Sequence, residues 1–297
     1  MTQAAATAPS VGAKFRDYAL LMRLHKPVGI WLLLWPTLWG LWFATRGHPS
    51  TKLLVIFIAG TVLMRSAGCV VNDLADRDFD PHVARTRDRP IAAGRVAPGE
   101  ALRLFVGLCL VAFAFVTQLN TTTVLLSVPA VIIAATYPFA KRMHSLPQAH
   151  LGLAFSWGIP MTFTATGHAV PWLLCALLML ANAAWAIAYD TFYAMADRED
   201  DLKIGVKSSA ILFGRYDRAV VAGLQGGTLV LLAVAGNAGG RGLAYFAGLA
   251  AAAALAAYQQ WLARDRDPPS CFRAFLNNTW FGASVFAGLA ADFAMNS

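Results

Sequence analysis

Long apolar stretches recur along the whole chain, and they restrict its possible folds more than any other feature of the sequence. Residues 53–71, for example, contain a single charged side chain, Arg65, in nineteen positions. A helix of roughly 20 apolar residues is long enough to cross the hydrocarbon core of a bilayer. Only 13% of the 297 residues are charged, which is about half of the share in a typical soluble domain. We therefore expect an integral membrane protein.

Nine apolar stretches can be placed, and together they predict an all-α, polytopic membrane protein with about nine transmembrane helices. They lie near residues 28–45, 53–72, 102–118, 122–140, 150–167, 170–189, 218–235, 242–262 and 274–293. We expect residues 1–297 to form a single integral-membrane domain, in which residues 1–20 are flexible or lie at the membrane interface.

The distribution of positive charge predicts the orientation of these helices. If residues at the span edges are counted with the adjoining loops, twenty Lys and Arg lie on the side of the N-terminus, and three, Arg46, Lys52 and Arg241, lie on the other side. Because positively charged loops remain in the cytoplasm, we expect a cytoplasmic N-terminus and a C-terminus that faces away. The net charge of +8 then reflects topology and contact with anionic lipid rather than nucleic-acid binding.

A first acidic cluster, Asn72-Asp73-x-x-Asp76-x-x-x-Asp80, follows the second apolar stretch. If residues 53–79 form one helix, these four side chains lie within about 100° of one another around its axis. Carboxylates that share one stripe repel each other unless a cation lies between them. Oxygen ligands without nearby Cys or His favour Mg2+ or Mn2+. We therefore predict a metal site at this helix end, and not merely a solvated terminus.

A second acidic cluster follows the sixth apolar stretch. Asp190, Asp197 and Asp201 fall within about 40° of one another on a helix, and Tyr193 borders their stripe. Both clusters follow an even-numbered span, which indicates two similar four-helix units in the same orientation plus one further helix. The two stripes then lie on the same membrane face, where they can hold metal ions against a phosphorylated ligand.

Arg65 lies on the stripe of the first acidic cluster, about 10 Å deeper in the membrane. An ionisable side chain at this depth is costly unless it has a partner. The sequence leaves two interpretations open. Arg65 either forms an ion pair with Asp76 or Asp80, or it binds an anionic group of a substrate.

These motifs resemble those of the UbiA superfamily of intramembrane aromatic prenyltransferases. The resemblance covers nearly the whole chain and rests on both acidic clusters, on Arg89-Pro90 and on the segment "KIGVKS" at 203–208. The stretches "RLHKPVGIWLLLWPTLWGLW" at 23–42 and "TYPFAKRMHSLPQAHLG" at 136–152 are similar to the branch that prenylates 4-hydroxybenzoate in ubiquinone biosynthesis.

The resemblance implies helices around a central cavity, Mg2+ as cofactor, and polyprenyl diphosphate and 4-hydroxybenzoate as substrates. The polyprenyl group would move to the ring carbon ortho to the hydroxyl, and diphosphate would be released. The implied metal ligands are Asp73, Asp76, Asp80, Asp197 and Asp201. The implied substrate-binding residues are Asn72, Arg89, Tyr137, Lys141, Arg142 and Lys203.

Three further residues are candidates for catalysis. Asp190 lies nearest the apolar interior of its cluster and is our candidate for the base that takes the phenolic proton. Tyr193 is the candidate for a ring that stabilises an allylic cation. Arg65 is the candidate for the partner of the acceptor's carboxylate.

Other functions remain open at the level of sequence. A haem farnesyltransferase, or a relative with a naphthoate, homogentisate or chlorophyll acceptor, would share the acidic motifs. A cation-coupled transporter also has intramembrane acids and repeats, but its acids should lie at mid-membrane, whereas these lie at helix ends. We expect a bacterial inner membrane because no Arg- and Ser-rich transit sequence is visible.

Overall fold

The computed structural model describes residues 11–82, 86–143, 146–205 and 207–296, and within these ranges the chain is helical and contains no β-strand. The helices are α1 (Val11–Leu21), α2 (Val28–Ala44), α3 (Thr51–Ala75), α4 (Pro98–Val116), α5 (Thr121–Met143), α6 (Pro147–Ser156), α7 (Gly158–Ala165), α8 (Trp172–Ile204), α9 (Ser209–Phe213), α10 (Asp217–Ala238), α11 (Leu243–Leu262) and α12 (Pro268–Met295). The predicted all-α class is confirmed.

Several helices of the described chain are long and apolar enough to cross a membrane. Five meet both conditions on their own: Thr51–Ala75, Pro98–Val116, Thr121–Ala140, Trp172–Lys203 and Ser209–Ala238. The helix α2 is apolar but shorter, at 17 residues. The chain is therefore an integral membrane protein. Each of the nine predicted stretches contains a helix, while the number of nine spans stays a prediction.

The ends of three helices that border the site are set by local sequence. Ser50 starts α3, because its hydroxyl accepts a hydrogen bond from the Leu53 amide at 3.3 Å. Asp267 starts α12 in the same way, accepting from the Ser270 amide at 3.0 Å. Gly205 ends α8 with φ of +71°, a left-handed conformation that glycine adopts at little cost.

The first acidic cluster does not lie on one continuous helix, so the prediction of a helix over residues 53–79 is wrong at its end. Helix α3 stops at Ala75, and Asp80 begins a separate 3₁₀ turn. Asp80 also contacts the following loop, since Thr86 donates to the Asp80 carbonyl at 2.9 Å and Arg89 donates to the Asp80 carboxylate at 2.8 Å. Asp80 therefore reaches its position through a turn.

The predicted span 150–167 is interrupted at Trp157, which separates α6 from α7. Pro160 explains the interruption, because it has no amide hydrogen to donate to the carbonyl four residues earlier. The Trp157 indole N–H donates to the Leu126 carbonyl at 2.8 Å, which ties the break to α5.

One cluster of buried hydrophobic side chains joins α2, α8 and α12. The Trp39 and Trp185 rings are fully buried with centroids 5.4 Å apart, and the Trp39 indole donates to the Gly282 carbonyl at 3.2 Å. Polar contacts join the last helices, where Gln225 donates to Gln259 at 2.7 Å. In an apolar surrounding such interhelical hydrogen bonds stabilise helix packing. These contacts hold α2, α8, α10, α11 and α12 together on one side of the site.

Candidate functional site

A cavity of about 910 Å³ lies among α2 to α8 and α12. One end is polar and is lined by Asn72, Asp73, Asp190 and Asp197. The opposite end is apolar and is lined by Phe57, Val116, Leu119 and Met161. From Asn72 to Phe57 the distance along α3 is about 22 Å at 1.5 Å per residue. The cavity therefore extends across most of the roughly 30 Å hydrocarbon core.

The structure brings members of both acidic clusters to one place. Asn72 and Asp73 reach the polar end of the cavity from α3, and Asp190 and Asp197 reach it from α8. The remaining predicted metal ligands lie around it. Asp76 and Asp80 are buried without lining the cavity, and Asp201 lines a separate depression on the surface.

The carboxylate of Asp73 holds two guanidinium groups at the polar end. It is fully buried, and it accepts hydrogen bonds from Arg23 at 2.7 and 3.0 Å and from Arg89 at 3.1 Å. Arg89 also pairs with Asp80 at 2.8 Å. Burial raises the pKa of Asp80, and the charge and hydrogen bond of Arg89 offset part of this effect. Both arginines line the cavity, so positive charge is fixed where an anionic group would enter.

Helix α1 holds the loop that carries Arg89. Lys14 pairs with Glu100 at 2.9 Å, and Arg95 pairs with Asp17 at 2.8 Å. The sequence predicts that residues 1–20 are flexible or lie at the interface. Residues 1–10 lie outside the described residues, and residues 11–20 belong to the ordered helix α1, which supports one rim of the cavity.

Arg65 lies inside the cavity below the acidic residues. Its Nη1 contacts the Cys69 sulfur, its Nε is buried without a hydrogen-bond partner, and no ion pair between described residues includes it. The described residues therefore do not provide the predicted pair with Asp76 or Asp80. Gly29 leaves the space that the guanidinium occupies, because a Cβ there would lie 2.5 Å from Nη2.

Aromatic rings form a continuous wall beside Asp190 and Asp197. The ring of Tyr193 lies 5.0 Å from Phe275 and 6.0 Å from Phe272, and the ring of Tyr189 lies 6.2 Å from Phe275. All four residues line the cavity. Aromatic faces attract cations within about 6 Å. Sequence reasoning selected Tyr193 but missed Phe272 and Phe275, which come from a distant part of the chain.

The other predicted substrate-binding residues have different surroundings. Tyr137 lines the cavity, with its ring 6.3 Å from that of His150. Lys203 is exposed, pairs with Asp200 at 3.3 Å and does not line the cavity. The side chains of Lys141 and Arg142 lie outside the described residues.

The oxygen atoms at the polar end fit a hard divalent cation. The described residues contain no group of three or more His, Cys, Asp or Glu arranged to hold a metal by themselves. Mg2+ does not require such a group, because it commonly binds through one or two carboxylates and completes its shell with water and substrate phosphate. The donor set of Asn72, Asp73, Asp190 and Asp197 is therefore suited to a cation that arrives with a phosphorylated ligand.

Comparisons with known proteins agree with this arrangement. The model of the UbiA prenyltransferase family matches residues 33–284. A 4-hydroxybenzoate octaprenyltransferase from Alkalilimnicola ehrlichii is 58% identical over 277 residues, which cover 93% of this chain and 94% of that protein. One from Methylococcus capsulatus is 57% identical over 284 residues, which cover 96% of this chain and 97% of that protein.

Solved structures show the same fold. A UbiA homologue from Aeropyrum pernix K1, determined in the apo form, matches with a TM-score of 0.78 and 26% identity, over 89% of this chain and 97% of that one. A UbiA homologue from Archaeoglobus fulgidus bound to GPP and Mg2+ matches with a TM-score of 0.70 and 19% identity, over 92% of this chain and 99% of that one.

Proposed function

Because the chain belongs to the UbiA prenyltransferase family, we propose that it transfers a polyprenyl group from polyprenyl diphosphate to the ring carbon ortho to the hydroxyl of 4-hydroxybenzoate. The main observation behind the proposal is a single cavity with carboxylates from two helices at one end and about 22 Å of apolar length below them. The polar end suits a diphosphate with its metal, and the apolar length suits an isoprenoid chain. The two relatives above are named for this reaction with an octaprenyl donor.

Mg2+ is the proposed cofactor. Of its predicted ligands, Asp73 and Asp197 line the cavity and are proposed to bind it directly, while Asp76, Asp80 and Asp201, which lie around the cavity, are proposed to bind through water of the metal's shell. The bound state of the Archaeoglobus homologue, with GPP and Mg2+, supports this proposal. Mg2+ would neutralise the diphosphate and so lower the cost of its departure. Asn72 and the two arginines held by Asp73 would orient the diphosphate, and Lys141, Arg142 and Lys203 are further candidates for this contact.

The aromatic rings beside Asp190, and Asp190 itself, are proposed to act in the remaining steps of the reaction. The allylic C–O bond breaks with its electron pair on the diphosphate, and the rings of Tyr193, Phe272 and Phe275 stabilise the resulting cation. Asp190 takes the phenolic proton, which makes the ring carbon more nucleophilic. Bond formation at that carbon gives a dienone, whose ring hydrogen leaves as a proton to the released diphosphate, and the phenolate that this restores regains its proton from Asp190. Burial among helices keeps water away from the cation.

Arg65 is proposed to bind the carboxylate of the acceptor, with Tyr137 beside it. The Arg65 Nε is a buried donor that has no hydrogen-bond partner among the described residues, and Arg65 lines the same cavity as Asp190. A carboxylate is the natural ligand for such a group, because it accepts charge-assisted hydrogen bonds from a guanidinium. The acceptor would then lie between Arg65 and the acidic residues.

We further propose that residues 1–297 act as one domain in a bacterial inner membrane, with the N-terminus and both acidic clusters on the cytoplasmic side. The relatives come from bacteria. Twenty of the 24 Lys and Arg lie on the side of these clusters in the predicted topology.

Membranes that contain the protein test the reaction. Labelled prenyl diphosphate, a panel of aromatic acceptors, and either Mg2+ or a chelator should give labelled 4-hydroxybenzoate only with Mg2+. Asp76→Ala and Asp197→Ala should abolish transfer, whereas Asp78→Ala should not, because the Asp78 side chain is 74% exposed and, among the residues that the structure describes, its one ion pair is with Arg77 at 3.6 Å. Wild-type rates in the first two variants would refute the metal assignment, and labelling of a naphthoate, homogentisate or haem acceptor instead would refute the assigned acceptor.

The role of Arg65 has its own test. Arg65→Ala should weaken binding of acceptors that have a carboxylate and leave neutral phenols nearly unaffected. Equal weakening of both classes would show that Arg65 does not bind the carboxylate.

A further inference from the structure

A second buried donor lies in the cavity without a protein partner. Among the described residues that line the cavity, two have a buried polar side-chain atom with no hydrogen-bond partner, Arg65 through Nε and Tyr189 through its hydroxyl. A buried polar group that makes no hydrogen bond destabilises the folded protein. Both residues line the same cavity. An acceptor supplied by a bound ligand would satisfy both donors.

The Tyr189 ring cannot turn away to find another partner. Its side chain is 2% exposed, and its ring is packed edge-on against Trp185 at 5.2 Å, with Phe155 at 6.5 Å and Phe275 at 6.2 Å. The rings of Trp185 and Phe281 stack behind it at 5.3 Å. The position of the hydroxyl is thus fixed by packing in a residue that lines the cavity.

Another buried tyrosine, Tyr245, has a hydroxyl whose hydrogen bond is made within the protein. Tyr245 is fully buried between α10 and α11, and its hydroxyl donates to the Leu232 carbonyl at 2.8 Å. The hydrogen-bonding capacity of this donor is therefore satisfied by the folded chain itself. The contrast indicates that the hydroxyl of Tyr189 serves something other than the fold.

We propose that the Tyr189 hydroxyl donates a hydrogen bond to the carboxylate of the aromatic acceptor, together with Arg65, and thereby contributes to acceptor specificity. A carboxylate has enough lone pairs to accept from a guanidinium and a hydroxyl at once. Tyr189 and Asp190 both line the cavity, so the contact would keep the acceptor in the same cavity as the proposed base. This inference rests on the proposed function, because it assumes an acceptor with a carboxylate near Arg65.

The test compares Tyr189→Phe with Tyr245→Phe, since each change removes only a hydroxyl from a buried ring. In Tyr189→Phe the KM for 4-hydroxybenzoate should rise roughly 10- to 100-fold, as expected for loss of a hydrogen bond to a charged group. The KM for the prenyl diphosphate should stay unchanged. With a neutral phenol as acceptor, Tyr189→Phe and wild type should differ less than twofold. Tyr245→Phe should leave both KM values unchanged.

Thermal unfolding separates this role from a structural one. Without substrates, Tyr189→Phe should unfold at the wild-type temperature or above it, because the lost hydroxyl has no protein partner, whereas Tyr245→Phe should unfold at a lower temperature. Addition of 4-hydroxybenzoate should raise the unfolding temperature of wild type more than that of Tyr189→Phe.

The outcomes distinguish this inference from the proposed function. An unchanged acceptor KM in Tyr189→Phe, or a marked loss of thermal stability, would overturn the inference while wild-type transfer to 4-hydroxybenzoate still stood. Failure of the wild type to prenylate any aromatic acid would overturn both.

Discussion

Gly29 should control how well the protein binds its acceptor, although it has no side chain to contact any ligand. A Cβ at position 29 would lie 2.5 Å from Nη2 and 2.7 Å from Cζ of Arg65. Carbon atoms in contact are normally about 3.5 to 4.0 Å apart. In Gly29→Ala the guanidinium must therefore move by about 1 Å.

A displacement of this size is large for a group that positions a substrate. Misplacement by about 1 Å can cost on the order of 100-fold in rate. We expect kcat/KM for 4-hydroxybenzoate to fall 10- to 100-fold, by this estimate, with little change in the KM for the prenyl diphosphate. The free energy of unfolding should change little, because the group that moves is the guanidinium of Arg65. It is the end of a flexible side chain that reaches the start of α2.

The assay is initial-rate kinetics with each substrate varied in turn, combined with thermal unfolding. Gly40→Ala is the matched control, since Gly40 lies in the same helix and an added Cβ would lie 2.6 Å from the Thr162 hydroxyl, outside the cavity. This control should lower stability and leave acceptor KM unchanged. A kcat/KM for 4-hydroxybenzoate that is the same in Gly29→Ala as in wild type would refute the reasoning about Arg65.

Further predictions concern buried ion pairs and the arginines of the site. Asp292→Ala should destabilise the protein by about 3–5 kcal/mol, measured by thermal unfolding, because it leaves Arg241 without the carboxylate that lies 3.2 Å away. Asp217→Ala should also lower the unfolding temperature, because this fully buried carboxylate joins two arginines, at 2.8 and 3.4 Å, from α8 and from the turn before α12. Arg23→Ala should raise the KM for prenyl diphosphate and not that for the acceptor, as initial-rate kinetics would show, because Arg23 lies at the polar end on Asp73.

The sequence predicted most of the helices because the constraint behind them is local. An apolar stretch in a bilayer must satisfy its own backbone hydrogen bonds, and a helix does this within the segment. The two errors occur where local chemistry competes with the pattern. Pro160 removes a hydrogen bond and breaks the span at Trp157, and Asp80 bonds to Arg89 and Thr86 instead of continuing α3.

The candidate site was predictable where its residues share a motif, and not where they meet only in three dimensions. The spacing of Asn72 and Asp73, and of Asp190 and Asp197, predicted a shared site, and the structure places all four at one cavity. From the sequence, Arg23 contributed only to the count of positive charges that predicts the membrane orientation. Nothing in the local sequence indicates its hydrogen bond to Asp73, which lies fifty positions away. Phe272, Phe275 and Gly29 were missed for the same reason.

The central claim is that both acidic clusters hold divalent metal at the polar end of the cavity, against the diphosphate of a prenyl donor. Anomalous diffraction from crystals grown with Mn2+ and a non-reactive prenyl thiodiphosphate would locate metal and ligand together. The account predicts manganese between the carboxylates of α3 and α8, next to Asp73 and Asp197, with the isoprenoid chain extending toward Phe57. Manganese bound by one helix alone, or a diphosphate bound outside the cavity, would contradict it.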